Sequence, residues 1–116
     1  MNSVVLMGRL TKDPDVRYTQ DNLGVSRYTL AVDRKGKETD FINCVTFGKP
    51  AEFAEKYLRK GMKIAVSGSI QTDSYTKEGK KVYTTIVNVR DQEFAESKKQ
   101  ERDGFMDIPE GEGPFT

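Results

Sequence analysis

Aromatic and basic side chains lie close together at two places in this sequence of 116 residues. Phe41 and Phe47 are six residues apart, so both point to one face if the segment is a strand. Tyr75 stands just before a basic turn at residues 77–81. Aromatic rings stack on the bases of single-stranded nucleic acid for about 1–3 kcal/mol each, while lysines neutralise phosphates. The pattern predicts a stacking surface that tolerates any base sequence.

The same aromatic residues also have a purely structural interpretation. A small barrel needs large apolar side chains, so Phe41 or Phe47 taken singly fits a core position. Tyr75 lies among polar neighbours at residues 72–77, where a core role is less natural. Three further tyrosines alternate with polar neighbours and are predicted to be core or interface residues: Tyr18, Tyr28 and Tyr83.

The residue types exclude most catalytic chemistry. The chain has no histidine and a single cysteine, Cys44, which removes disulfide frameworks, zinc sites, Ser-His-Asp triads and Cys-His pairs. The acids lie beside lysines, glycines and turns, and the glycines do not form a phosphate-binding loop. We therefore expect no enzyme activity, no cofactor and no metal, with Cys44 as a small buried apolar residue.

Composition and charge point to a soluble protein with an anionic partner. Hydrophobic residues make up 35% and charged residues 32%, and no apolar run approaches the roughly 20 residues of a membrane helix. The first residues contain no export signal, so we expect a cytoplasmic protein without a membrane partner. Residues 1–95 hold 16 basic against 12 acidic residues, a net charge of +4. A basic body of this kind favours a polyanion.

Short runs rich in Val, Ile, Thr, Tyr and Phe predict the elements that position these residues. A first strand covers residues 3–9, breaks near Pro14 and resumes at 16–18. Four further strands are predicted at 25–33, 41–47, 62–76 and 83–94, with Gly68 as a bending point. In strand 25–33, Tyr28, Leu30 and Val32 share one face, and the other face is wet.

One helix is predicted between the third and fourth strands, over about residues 50–60. Pro50 suits the first helical position, Ala54 and Leu58 follow at helical spacing, and Gly61 ends the helix. The order indicates an all-β OB-fold, a five-stranded Greek-key barrel with one helix between strands 3 and 4. We assign residues 1–96 to this barrel domain.

Residues 97–116 are predicted to form a flexible acidic tail. Acidic residues surround a few bulky apolar ones, which suits capture by a basic, apolar pocket on another protein. A solubilising tail would explain the acids but not the apolar anchors. The residues assigned to partner binding are Asp107, Ile108, Pro109, Pro114 and Phe115.

Several segments resemble the bacterial single-stranded DNA-binding protein (SSB) family in order over residues 1–95. They include VVLMGRLTKDPDVRY, YTLAVDR, DFINCVTFGKPAEFAEKYLRKG and IAVSGSIQTDSYTKEGKKVYTT. The resemblance implies an OB-fold, a homotetramer and sequence-independent binding of single-stranded DNA. It also implies work in replication, recombination and repair, with the tail recruiting replication and repair proteins.

The resemblance also implies roles for particular residues. Phe41, Phe47 and Tyr75 match stacking positions, which favours the platform interpretation over the core one. The resemblance places these cations along the DNA path: Arg9, Arg34, Lys49, Lys77, Lys80 and Lys81. Lys35, a lysine of the turn after strand 25–33, is expected there from its position alone. The strand segment expected to pair between subunits is Ser3, Val4, Val5, Leu6 and Met7. Unlike many relatives, the loop at residues 34–40 lacks an aromatic residue, and Thr116 follows Phe115.

Two other functions fit parts of the pattern, and a third finds no support in it. An OB-fold interaction scaffold, such as a primosomal or mobile-element accessory factor, would bind proteins and hold nucleic acid only weakly. An RNA-binding OB protein would use the same stacking, because stacking does not require deoxyribose. A hydrolase has no base, metal set or phosphate loop to support it.

Overall fold

Six strands and one helix make up the part of the chain that the computed structural model describes, residues 1–96. The tail residues assigned to partner binding at 107–115 lie outside the described residues. In chain order the elements are β1 (Val4–Leu10), β2 (Asp15–Tyr18), β3 (Gly24–Asp33), β4 (Thr39–Phe47), α1 (Lys49–Tyr57), β5 (Lys63–Lys77) and β6 (Lys80–Phe94).

The strands form one sheet that closes on itself. The strand order is β1-β5-β6-β4-β3-β2, and a further pairing of β1 with β3 completes the ring. β1 and β2 are the two halves of the predicted broken first strand, because both pair with β3, through Leu10 opposite Leu30 and Asp15 opposite Arg27. The predicted OB-fold barrel is confirmed, with the helix in the predicted place.

The interior is built from alternate positions of the strands, as the apolar pattern predicts. Tyr28 and Leu30 are 3% and 0% exposed, which confirms the inward face of β3. The Tyr28 hydroxyl donates to Oε1 of Gln92 at 2.6 Å, and the Gln92 amide donates to the carbonyl of Pro50 at 2.6 Å. Burial raises the pKa of Tyr28, so the hydroxyl stays a donor in this chain of bonds, which ties the barrel interior to the start of α1.

α1 ends three residues earlier than the predicted 50–60. Leu58 leaves the helix with extended backbone angles, φ −94° and ψ 134°, and its side chain is fully buried in the core. Gly61, at φ 88°, then turns the chain so that its N–H donates to the carbonyl of Leu10. The chain therefore pairs with the end of β1 instead of forming one more turn of helix. Among residues 1–96, no helix is long and apolar enough to cross a membrane.

β5 and β6 form a long hairpin that extends past the barrel. The turn residues Glu78 and Gly79 both have positive φ, 51° and 79°, which is the backbone of a tight two-residue hairpin turn. This turn lets β6 start at Lys80 rather than at the predicted residue 83. The predicted bend at Gly68 is confirmed by a shift of register there, and a Cβ at this position would overlap the carbonyl oxygen of Asn88.

The sequence predicts burial for Cys44, and a core or interface position for Tyr18 and Tyr83. The structure confirms the first prediction and contradicts a core position for the two tyrosines. Cys44 is 2% exposed and confirmed as a buried residue, and burial raises the pKa of its thiol to about 12. Tyr18 and Tyr83 are 48% and 71% exposed, so a core position is wrong for both. Tyr18 lies against α1, where its hydroxyl donates to the carboxylate of Glu55 at 2.5 Å.

Candidate nucleic-acid interface

β4 carries two exposed aromatic rings on the side of the sheet that points away from the core. Cys44 and Thr46 point into the barrel and are buried, so Phe41 and Phe47, which alternate with them, point outward. Phe41 is 66% exposed and Phe47 42% exposed, so the core alternative is wrong for both. We call this side of the sheet the outer face; on β4 it carries Phe41, Asn43, Val45 and Phe47.

Tyr75 lies on the same outer face, although it is on another strand. Val45 is paired with Asn88 of β6, and Asn88 is paired with Ser69 of β5. Paired residues point to the same side of a sheet, and Tyr75 follows Ser69 by an even number of residues. Tyr75 is 52% exposed. The closed sheet thus brings the three predicted stacking residues onto one face.

The hairpin presents a second tyrosine on its opposite side. Tyr75 is paired with Val82, so Tyr83, the next residue, points the other way. Tyr83 is 71% exposed, more than Tyr75. Exposure alone therefore does not distinguish the two tyrosines. They differ in the face of the sheet to which the side chain points.

The lysines of the basic hairpin are divided between these two faces. Lys77 and Lys80 are paired with each other on the face of Tyr75. Lys81 lies on the face of Tyr83, with its ammonium 5.9 Å from the centre of the Tyr83 ring. Of the three predicted cations, two accompany the outer-face tyrosine and one does not.

Arg9 lies on the outer face near Phe41 and is held by an acid. Ala31 of β3 is paired with both Arg9 and Phe41, which places Arg9 two strands, or about 10 Å, from Phe41. The Arg9 guanidinium donates to both carboxylate oxygens of Glu96, at 2.9 and 3.2 Å. The hydrogen bond from Arg9 lowers the pKa of Glu96. The charge of Arg9 is therefore balanced by an ionised carboxylate.

Arg34 is also paired with acids. Its guanidinium donates to Glu38 at 2.6 Å and to both carboxylate oxygens of Asp40, the shortest contact being 2.9 Å. The hydrogen bond from Arg34 lowers the pKa of Asp40. The loop between β3 and β4 is thus closed on itself by Arg34, and the charge of this residue is neutralised locally.

Four predicted lysines remain unpaired. Within residues 1–96, none of them forms an ion pair, and all are exposed: Lys35, Lys49, Lys77 and Lys80. Lys49 opens α1 two residues after Phe47, and Lys77 follows Tyr75 by two residues on the same face. Lysines without an ion pair therefore follow two of the three rings, Phe47 and Tyr75.

A groove lies on the outer face between the two phenylalanines. Arg27 and Thr29 of β3 lie opposite Val45 and Asn43 of β4. The Thr29 hydroxyl donates to Oδ1 of Asn43 at 3.0 Å. The residues that line the groove are Lys12, Asp15, Arg27, Tyr28, Thr29, Asn43, Cys44, Val45 and Ile86.

The segment predicted for subunit pairing is an open strand edge. Along its residues Val4–Gly8, β1 is paired on one side with β5. On its other side, within residues 1–96, only Arg9 and Leu10 are paired, with β3. Val5 and Met7 point outward and are 73% and 52% exposed. Unpaired backbone groups beside exposed apolar side chains are suited to strand addition.

Comparison with known proteins decides the family. The model of the Single-strand binding protein family matches residues 1–95, which is most of the chain. The chain belongs to this family. The resemblance of the four sequence segments to the SSB family is thereby confirmed.

Three SSB relatives illustrate the similarity, and each has the name single-stranded DNA-binding protein. The protein of Fusobacterium nucleatum subsp. nucleatum is 48% identical over 106 residues, covering 84% of this chain and 69% of its own length. That of Bacillus cereus is 43% identical over 123 residues, covering 97% and 72%. That of Clostridium perfringens is 48% identical over 101 residues, covering 84% and 67%.

Within the SSB barrel, sequence reasoning missed the groove residues Arg27, Thr29 and Asn43. The alternation in β3 already puts Arg27 and Thr29 on its wet face, but their partners on β4 follow only from the strand register. Among residues 1–96, no group of three or more His, Cys, Asp or Glu side chains could hold a metal ion.

Proposed function

We propose that this chain binds single-stranded DNA without regard to base sequence and has no catalytic role. The observation that carries the proposal is the presence of Phe41, Phe47 and Tyr75, all exposed, on one face of the barrel. Several exposed aromatic rings on one face are typical of a binding surface, and bases of any kind can stack on them. The names of the related proteins support the same ligand.

Binding combines stacking with neutralisation of phosphates. Each ring that receives a base contributes about 1–3 kcal/mol. The unpaired lysines contact phosphates directly, while Arg9 and Arg34 exchange their carboxylate partners for phosphate oxygens. The logarithm of the binding constant then falls with the logarithm of salt concentration by about 0.7 for each contact to a single strand.

The test compares the natural chain with a Phe41→Ala, Phe47→Ala, Tyr75→Ala triple variant by fluorescence anisotropy of labelled dT oligomers. We expect tight binding of dT, little binding of duplex DNA and a large loss in the triple variant. Unchanged affinity in a folded triple variant would refute the stacking surface. Stronger competition by poly-U than by poly-dT would instead support an RNA-binding protein, and absence of any nucleic-acid affinity would support a protein scaffold.

We also propose that the chain assembles as a homotetramer through the open edge of β1. Edge strands with free N–H and C=O groups pair readily with another copy, and Val5 and Met7 would be covered. Light scattering should report four times the chain mass of 13.1 kDa. A Val5→Lys, Met7→Lys variant should shift the mass to a smaller species. A natural chain that stays monomeric at working concentration would contradict this assembly.

The acidic tail, in our proposal, recruits replication and repair proteins to the DNA-bound barrel. Its apolar residues among acids suit a basic, apolar pocket. Removal of residues 97–116 should leave affinity for dT oligomers in place and abolish co-precipitation of those proteins on DNA-coated beads. Equal co-precipitation with and without the tail would contradict this role.

A further inference from the structure

The segment between β4 and α1 carries two of the residues proposed to bind DNA. Phe47 is the last residue of β4 and Lys49 the first of α1, and Gly48 between them has a positive φ of 73°. Glycine adopts this backbone readily, but it also loses more conformational freedom on folding than any other residue. The Gly48 N–H donates to the carbonyl of Gly24 on β3 at 2.9 Å. We call residues 46–50 the β4–α1 joint, and contacts from other elements have to fix its arrangement.

β6 holds this joint at both of its ends. The Thr46 hydroxyl donates to the carbonyl of Val89 at 3.0 Å inside the barrel, where Thr46 is fully buried. The side-chain amide of Gln92 donates to the carbonyl of Pro50 at 2.6 Å. The two side chains proposed to bind DNA therefore project from backbone that is tied to β6 on either side of them.

A bulge in β6 turns Gln92 toward the joint. The pairing of β5 with β6 shifts its register once, so that Arg90 is an extra residue on β6. Before this bulge Val89 points into the barrel, and after it Gln92 does, paired with the buried Val66. Without the extra residue Asp91 would take the inward position, and an ionised carboxylate cannot donate to a carbonyl.

Tyr28 sets the orientation of the Gln92 amide. A carbonyl only accepts hydrogen bonds, so the amide turns its NH₂ group to Pro50 and leaves its oxygen for another donor. That oxygen accepts from the buried Tyr28 hydroxyl at 2.6 Å. In an apolar core, a different arrangement of this chain of bonds would leave a polar group unsatisfied, which is costly.

We propose that Tyr28 and Gln92 are positioning residues for DNA binding. Their hydrogen bonds keep the β4–α1 joint in one arrangement in the free protein, so Phe47 and Lys49 meet the DNA strand without first being ordered. Binding that has to order its contact residues is weaker, because the conformational entropy lost on binding lowers the affinity. The inference rests on the proposed binding of single-stranded DNA and names the residues that prepare two of its contacts.

Two substitutions in the core test this role without touching the binding surface. Gln92→Met removes both hydrogen bonds with little change in side-chain length, and Tyr28→Phe removes one. The affinity for a labelled dT oligomer of about eight nucleotides, measured by anisotropy, should fall about two- to tenfold for Gln92→Met, the range of one net hydrogen bond, and less for Tyr28→Phe. The double variant should lose no more than Gln92→Met alone, because both substitutions act through the same amide.

A positioning role differs from a general loss of stability because it depends on the joint. In a Phe47→Ala, Lys49→Ala background the joint no longer presents either contact, so adding Gln92→Met should leave dT affinity nearly unchanged. In a Tyr75→Ala background the loss should persist, because Tyr75 lies on the β5–β6 hairpin. Ile64→Val is the control for stability: it thins the core elsewhere in the barrel and lowers the melting temperature, but should keep the natural affinity.

The mobility of the ring position can also be measured without DNA. The chain has no tryptophan, so Phe47→Trp introduces a single fluorophore at the joint. Its time-resolved anisotropy should show faster local motion when Gln92→Met is added, because the joint has lost a bond to β6. Addition of Ile64→Val should leave this local motion unchanged.

The outcomes separate this inference from the function on which it rests. Unchanged dT affinity in folded Gln92→Met and Tyr28→Phe variants would overturn the positioning role while leaving single-stranded DNA binding intact. An equal loss with and without the contacts at residues 47 and 49 would also overturn it, and so would unchanged motion of the fluorophore. If Gln92→Met fails to fold, Tyr28→Phe decides by the same criteria, because it keeps the buried ring. A natural chain that does not bind dT would overturn both proposals.

Discussion

The two faces of the β5–β6 hairpin allow a sharp test of the stacking surface. Tyr75 and Tyr83 are the same residue type, lie on the same hairpin and are both more than half exposed. Only Tyr75 shares the outer face with Phe41 and Phe47. Tyr75→Ala should therefore weaken binding of single-stranded DNA, and Tyr83→Ala should leave it nearly unchanged.

The size of the effect follows from the loss of one stacked base. At about 1–3 kcal/mol per base, Tyr75→Ala should reduce affinity about 5- to 150-fold. Tyr83→Ala removes only an exposed contact with Lys81, at 5.9 Å from the ring centre. Because both side chains are exposed, each substitution should change the free energy of unfolding by no more than about 1 kcal/mol.

The assay is anisotropy with a dT oligomer of about eight nucleotides, within the range of about 4–16 nucleotides bound per OB fold. Thermal melting and light scattering on each variant show that fold and assembly are kept. Equal losses for Tyr75→Ala and Tyr83→Ala would refute the argument from strand register, because they would show that the strand contacts both sides of the hairpin. No loss for either would remove the hairpin from the binding surface.

Three further predictions concern the ion pair at the barrel end, the buried thiol and the bulge. Glu96→Gln should tighten binding of single-stranded DNA and steepen its salt dependence by about 0.7, because Arg9 no longer has a competing carboxylate; unchanged salt titrations would place Arg9 off the DNA path. Cys44 should not react with a thiol reagent at pH 8 until the chain is unfolded, because its pKa is raised to about 12 from an ordinary 9.0. Its contribution to stability is full below pH 9.0 and declines toward pH 12, where the unfolded thiol is ionised first; fast native labelling would contradict its burial. Gly68→Ala should lower the free energy of unfolding in urea by about 1–3 kcal/mol, because the new Cβ overlaps the carbonyl of Asn88, and an unchanged urea midpoint would contradict this contact.

Much of the fold follows from local patterns. The succession of strands and helix along the chain, the break near Pro14 and the bend at Gly68 all come from residue types that act over a few positions. The inward position of Tyr28 and Leu30 follows from alternation in a single strand. The end of α1 does not, because Leu58 leaves the helix to fill the core, and Gly61 and Met62 then pair with Leu10, about 50 residues earlier.

For the candidate site, too, local patterns predict some features and the tertiary structure decides the others. The residue types and their spacing select Phe41, Phe47 and Tyr75 as stacking candidates, since alternation shows which residues of one strand share a face. Alternation does not show which face becomes the interior or how faces on different strands correspond. Closure of the sheet into a ring decides both, and it turns Tyr75 toward the phenylalanines and Tyr83 away from them. Pairing of strands far apart in the chain also brings Arg9 to Glu96, 87 residues away, a contact that no local pattern specifies. The contact of Thr29 with Asn43 is set by the register of the β3–β4 hairpin.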